Sequence, residues 1–115
     1  TLRLWWDEDW PRTQDYFNNV LHREGPAPHP LPGWLARDIV SRHLSSPSML
    51  CVLSLQDWMS IDETLRLAQP DAERINIPAN PKHYWRYRMH VSLEDLMKRN
   101  DFNYDITDLI AQSGR

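Results

Sequence analysis

Apolar residues recur at helical spacing through most of this chain and run together in one place. Tyr16, Phe17, Val20 and Leu21 fall on one helical face. Asp7, Glu8 and Asp9 precede Trp10-Pro11, and acids with a proline in the first turn mark a helix start. Gly25-Pro26 ends that helix, and His22 near its end reads as a cap or a solvated residue. A second helix is predicted from Trp34 to Leu44, with Leu35, Ala36, Ile39, Val40 and Leu44 inward and Arg37, Asp38, Ser41 and Arg42 outward. Ser45-Ser46-Pro47 stops it. Ser60 and Glu63 are spaced as a capping box for a short helix over 61–68, which Gln69-Pro70 ends. Ser92 with Asp95 caps a helix from Leu93 to about Arg99. Asp105 with Asp108 caps a last one, where Ile106, Leu109 and Ile110 share a face and Gly114 lies just past the end.

The exception is Met49 to Leu55, where only Ser54 is polar. It is too short for a helix, and a continuous apolar run of this length predicts a strand buried on both faces, as in a parallel sheet. Gln56 and Asp57 then stand at its C-terminal end, where α/β folds place their chemistry. A single parallel strand cannot satisfy its own N–H and C=O groups. The chain is therefore expected to be a piece of a larger α/β protein, mostly helical with one buried parallel-type strand. Otherwise its edge would pair with a second copy, so self-association is expected of the isolated segment. Thr1 to Trp6 reads as if cut from something longer.

Two stretches are loop-like. Pro26, Pro28, Pro30 and Pro32 alternate in an extended connector, in which His29 has no second ligand at metal-binding spacing. Asp71 to His90 lacks sustained periodicity but carries Ile, Tyr and Trp, which argues for a functional loop over a disordered one.

A net charge of -3 gives no reason to expect a nucleic-acid partner. The single Cys51 excludes an intrachain disulfide and sits in the apolar run as a small hydrophobe. No apolar segment approaches the roughly 20 residues that span a bilayer, so no membrane association is expected, and no signal peptide is visible. Six Trp are unusual in 115 residues. Their flat faces suit sugar rings, but for any single Trp core packing is the leading reading. No Ser/His/Asp set, Gly-rich phosphate loop or metal-ligand cluster stands out.

Five segments, in order, resemble one family. Thr1-Leu2-Arg3-Leu4-Trp5-Trp6, Ser46-Pro47-Ser48-Met49, Leu55-Gln56-Asp57, Arg74-Ile75-Asn76-Ile77-Pro78 and Trp85-Arg86-Tyr87-Arg88 are similar to motifs of the 4-alpha-glucanotransferases, the amylomaltases or disproportionating enzymes of glycoside hydrolase family 77. The match runs from Thr1 to about Leu96. Pro78-Ala79-Asn80 departs from the family's Pro-Gly-Thr, and Tyr84-Trp85 departs from its Asn-Trp. The form Asn80-Pro81-Lys82-His83-Tyr84-Trp85 looks more like the long, multi-domain branch that includes the plant cytosolic enzyme. The Tyr84 departure removes any sugar contact made by the family's Asn at that place.

The resemblance implies the C-terminal portion of a (β/α)8 TIM barrel, as a single segment over residues 1–115 that closes the barrel. It implies a retaining transfer of α-1,4-glucan segments between maltodextrins or to glucose, without a cofactor or metal, in the cytoplasm, as part of starch and glycogen metabolism. The family's nucleophile, its acid/base and a stabilising Asp after a His all precede the Thr-Leu-Arg motif. They are therefore expected outside this sequence, and no catalytic residue is expected within it. The implied substrate contacts are Gln56, Asp57, Asn76 and Asn80 through hydrogen bonds and Trp85 as a stacking wall, with Arg74, Arg86 and Arg88 supporting the loop through ion pairs. Asp57 reads equally as a structural partner of one of those arginines. The alternative from another class is a small non-catalytic carbohydrate-binding or interaction module.

Overall fold

Local capping explains where most of the helices begin. The computed structural model describes residues 1–115. Thr1 caps α1 (Leu2–Glu8), its hydroxyl accepting from the Leu4 N–H at 3.5 Å. Asp9 ends α1 and caps α2 (Trp10–Asp15), accepting from the Arg12 N–H at 3.3 Å, with Pro11 in the first turn. A π-helical turn, Tyr16–Val20, continues α2. It closes at His22, whose φ of 54° is the left-handed value that terminates helices. After the proline connector comes α3 (Gly33–Leu44), then α4 (Leu55–Met59), a 3-10 turn (Pro70–Glu73), α5 (Leu93–Lys98) and α6 (Asn100–Gln112).

Gly33 is required at the start of α3. A Cβ there would lie 2.8 Å from the Ile61 carbonyl oxygen, and the Gly33 N–H donates to Glu63 at 2.7 Å. Trp6, Phe17, Ala27, Leu31, Leu35, Ala36 and Ile39 form the largest apolar cluster. The Trp6 indole N–H donates to the Pro28 carbonyl at 2.8 Å, so the connector is packed rather than loose. Val40 and Leu44 of α3 pack on Leu109 of α6, while Met59 and Leu65 pack on Phe102. No helix is long and apolar enough to cross a membrane.

The expected fold class is corrected here. The chain is α-helical and contains no β-strand and no sheet, so it is not the α/β arrangement with one buried parallel strand that the apolar run and the barrel resemblance suggested. The segment from Met49 is irregular up to Ser54, and Met49, Leu50 and Val52 are 92%, 77% and 89% exposed. Only Cys51 and Leu53 turn inward, against the cluster of Val40, Leu44 and Leu109. The physical reason is ladder partnership: nothing in the chain pairs with this backbone, and a lone strand leaves its polar groups unmatched. Leu55, Gln56 and Asp57 do not end a strand but open α4. Ser54 caps that helix, its Oγ accepting from the Asp57 N–H at 3.2 Å. With no strand there is no strand edge, so the reason given for self-association falls away.

Two helix boundaries also shift. The helix expected over 61–68 is a series of turns, because Asp62 accepts from the Thr64 and Leu65 N–H groups at 2.9 and 3.2 Å and so competes with a helical ladder. The last helix begins at Asn100, not at Asp105. Asp105 and Asp108 instead face Arg37 of α3 at 3.0 and 3.5 Å. The Ser92–Asp95 cap stands at the start of α5 as predicted, the Asp95 N–H donating to Ser92 at 3.1 Å.

Candidate functional site

A cleft of about 520 Å³ opens where α1, the start of α4 and the segment after the 3-10 turn meet. Its polar lining is Thr1, Glu8, Ser54, Asp57, Arg74 and Asn76, and its apolar lining includes Trp5. A second cleft of about 290 Å³ shares Thr1, Trp5 and Asp57 and is otherwise mostly apolar, with Leu2, Ile39, Val40 and Leu53. The two together make a trough with one polar and one apolar end.

Asp57 sits at the junction because two helix starts meet there. Its Oδ1 accepts from the Leu2 N–H at 2.9 Å, the first free amide of α1, and its Oδ2 accepts from the Ser54 hydroxyl at 2.7 Å. Its partners are therefore an amide and a hydroxyl, not the arginine that was one of its two readings. Arg74 bridges two acids, donating to Asp71 at 2.7 Å and to Glu8 at 2.6 Å. Those hydrogen bonds, Asp71 first and Glu8 second, raise its pKa and hold it charged.

A buried ion pair anchors this loop from below. Arg3 donates to Glu73 at 3.2 Å and to the Leu67 and Ala68 carbonyls at 2.7 and 3.3 Å, and Glu73 also accepts from the Leu67 N–H at 3.1 Å. Both side chains are almost wholly out of water. Glu73 immediately precedes Arg74, so this pair fixes the segment that carries Arg74 and Asn76 against α1. Tyr87 lies nearby with its hydroxyl buried and without a partner. Burial raises its pKa, and the charge of Glu73 adds to that.

The structure brings Asp57, Arg74 and Asn76 into one cleft and leaves the other predicted residues outside it. Gln56 is on the buried side of α4. Asn80 is exposed and closes a local turn, its side chain accepting from the Lys82 N–H at 3.0 Å. Trp85 is 71% exposed, and Arg86 lies over the Tyr84 ring at 5.0 Å. Of the three arginines expected to support the loop, Arg74 forms ion pairs, with Glu8 and Asp71, and Arg86 and Arg88 form none. Trp5, Glu8 and the Arg3–Glu73 pair were not singled out from the residues. Their one signal was the position of Arg3 and Trp5 inside the first motif.

A family model described as 4-alpha-glucanotransferase matches residues 1–94. The chain belongs to the 4-alpha-glucanotransferase family. It is 36% identical to the 4-alpha-glucanotransferase DPE2 of Oryza sativa subsp. japonica over 115 residues, which is all of this chain and 12% of the rice protein. No solved structure matches the chain. Within this glucanotransferase segment, α6 lies beyond the residues matched by the family model yet inside the match to the rice protein.

Proposed function

We propose that the chain is the segment of a 4-alpha-glucanotransferase that helps hold the glucan. The whole enzyme would move an α-1,4-glucan segment from a donor to glucose or another glucan, with retention of configuration. It would act in the cytoplasm, in starch or glycogen metabolism, on maltodextrins and without a cofactor. The observation that carries this reading is convergence. Three segments distant in sequence, Thr1–Trp6, Leu55–Asp57 and Arg74–Pro78, each resemble a glucanotransferase motif, and each contributes to one cleft.

In this reading Asn76 supplies an amide to sugar hydroxyls and Trp5 offers an aromatic face. Asp57, with both oxygens already engaged, orients the start of α1. Asn80 and Trp85 reach the glucan only if it extends past the cleft, and Gln56 acts from below as support. The acids of the cleft are not proposed as the catalytic pair. Retaining transfer needs a nucleophile and an acid/base roughly 5–5.5 Å apart across the scissile bond. Glu8 is tied to Arg74 and Asp57 to two donors.

The test is incubation with maltotriose. The longer enzyme containing this segment should release glucose and longer maltodextrins, and the 115-residue chain alone should release neither. Glucose with no longer products from the longer enzyme would point to hydrolysis and overturn the reading. A second reading, a non-catalytic glucan-binding module, draws on the exposed Tyr84 and Trp85. Strong malto-oligosaccharide binding by the chain alone, measured by calorimetry, would favour it.

A further inference from the structure

The ion pairs of this protein leave one stretch of positive charge free. Of the 13 Lys and Arg residues, Arg3, Arg12, Arg23, Arg37, Arg66, Arg74 and Arg99 are paired with acids. Six are not: Arg42, Lys98 and Arg115 are scattered along the chain, whereas Lys82, Arg86 and Arg88 fall within seven residues, although the chain as a whole carries a net charge of -3. No Asp or Glu occurs between Arg74 and Glu94. The stretch is irregular: Lys82, Tyr84, Trp85, Arg86 and Arg88 are exposed, while His83 and Tyr87 are half-buried. The His83 ring contacts the Ile75 carbonyl oxygen at 3.0 Å, which ties the inner side to the segment lining the cleft. The stretch therefore presents three exposed cations, Lys82, Arg86 and Arg88, beside the exposed ring of Tyr84, whose carbonyl oxygen accepts from the Arg86 N–H at 2.8 Å. Trp85, also exposed, adds a second flat face.

We propose that residues 82–88 form a site for an anion-bearing glucan, a sugar chain carrying phosphate esters. Tyr84 and Trp85 would lie against sugar rings, and Lys82, Arg86 and Arg88 would meet the phosphate. This rests on the glucanotransferase reading and extends it to substrate class. Neutral maltodextrin would use the aromatic faces but gain nothing from three unpaired cations. A guanidinium matches phosphate geometry through parallel N–H donors, and it stacks on aromatic rings, as Arg86 already does on Tyr84. Single-stranded RNA would use the same groups. The membership of the glucanotransferase family favours the glucan.

The experiment uses the longer enzyme that contains this segment. Its binding to maltoheptaose, to maltoheptaose carrying a phosphate monoester, to inorganic phosphate and to poly(U) is measured at low and high salt. The phosphorylated oligosaccharide should bind about tenfold more tightly than the neutral one, with the preference falling as salt screens exposed charge. Arg86→Gln with Arg88→Gln should erase the preference and Arg→Lys at both should retain part of it. Lys82→Gln, at an exposed turn residue, should reduce the preference without unfolding the chain. Equal affinity for the two oligosaccharides overturns the proposal, as does a preference that survives Arg86→Gln with Arg88→Gln. Binding to inorganic phosphate as tight as to the phosphorylated glucan makes it a simple anion site and also overturns it, and tighter binding to poly(U) assigns it to RNA instead. Transfer on neutral maltotriose is assayed in parallel, so failure of this proposal is distinguishable from failure of the glucanotransferase reading.

Discussion

Glu73 decides how firmly the site-bearing loop is held. It is fully buried, and its carboxylate serves Arg3 and the Leu67 N–H together. Glu73→Ala leaves the Arg3 guanidinium buried without its counter-charge, and removing one partner of such a pair costs about 3–5 kcal/mol. That is a large share of the roughly 5–15 kcal/mol that stabilises a typical domain. Chemical denaturation should show the loss, and Glu73→Gln, which keeps an acceptor for Leu67, should lose less. Two tyrosines set an alkaline limit. Burial raises the pKa of Tyr16 and of Tyr87 above the ordinary 10.0. The folded chain therefore keeps protons that the unfolded chain releases, so stability present below pH 10 falls as pH rises above it. Thermal melting between about pH 9 and 11 should show this decline. Tyr16→Phe and Tyr87→Phe should each flatten it. Asp57 shows the limit of reading single residues. Its place in the Leu-Gln-Asp motif was visible in sequence, but its partner is the first amide of α1, and a backbone partner leaves no trace in side-chain identities.

At the scale of elements, helices with a complete cap and a regular apolar stripe were legible. Helix α3 carries Leu35, Ala36, Ile39, Val40 and Leu44 inward as the spacing predicts, and α5 starts at its Ser92 cap. The run from Met49 shows that an apolar stretch of that length fixes neither burial nor ladder partners. Its expected ladder is absent, and three of its side chains face water. The helix expected after Ser60 is absent because Asp62 accepts from the Thr64 and Leu65 N–H groups, and Glu63 accepts from the Gly33 N–H rather than capping Ser60. What holds the irregular segment in place is Arg115. It donates to the Leu44, Ser46 and Ser48 carbonyls at 2.5, 2.9 and 2.8 Å, completing the C-terminal end of α3. Arg115→Ala should release that end. Hydrogen exchange should rise at the amides of the last turn of α3 and the following loop, with α1 unchanged. Unaltered exchange at Ser45 and Ser46 would show the contacts to be dispensable.

Across the whole molecule, the radius of gyration is 15.0 Å, above the value of about 13 Å that a chain of this length reaches when fully compact. Three modest apolar clusters share the work of one core, and the helices that join them are mostly short. That looseness places the cleft between elements, where α1, α4 and the loop after the 3-10 turn each supply one wall. The convergence of three motifs there was not visible in the chain order, which shows each motif separately and says nothing of the distances between them. The measurement that bears most directly on the glucan-holding role of this cleft is kcat/KM for maltotriose disproportionation by the longer enzyme, native against Asn76→Ala. Loss of a sugar hydrogen bond should cost on the order of 1–3 kcal/mol in transition-state binding, roughly a fivefold to 150-fold fall in kcat/KM, with the melting temperature unchanged. An unchanged kcat/KM, or a fall matched by an equal loss of folding, would contradict the role assigned to Asn76 and to the cleft.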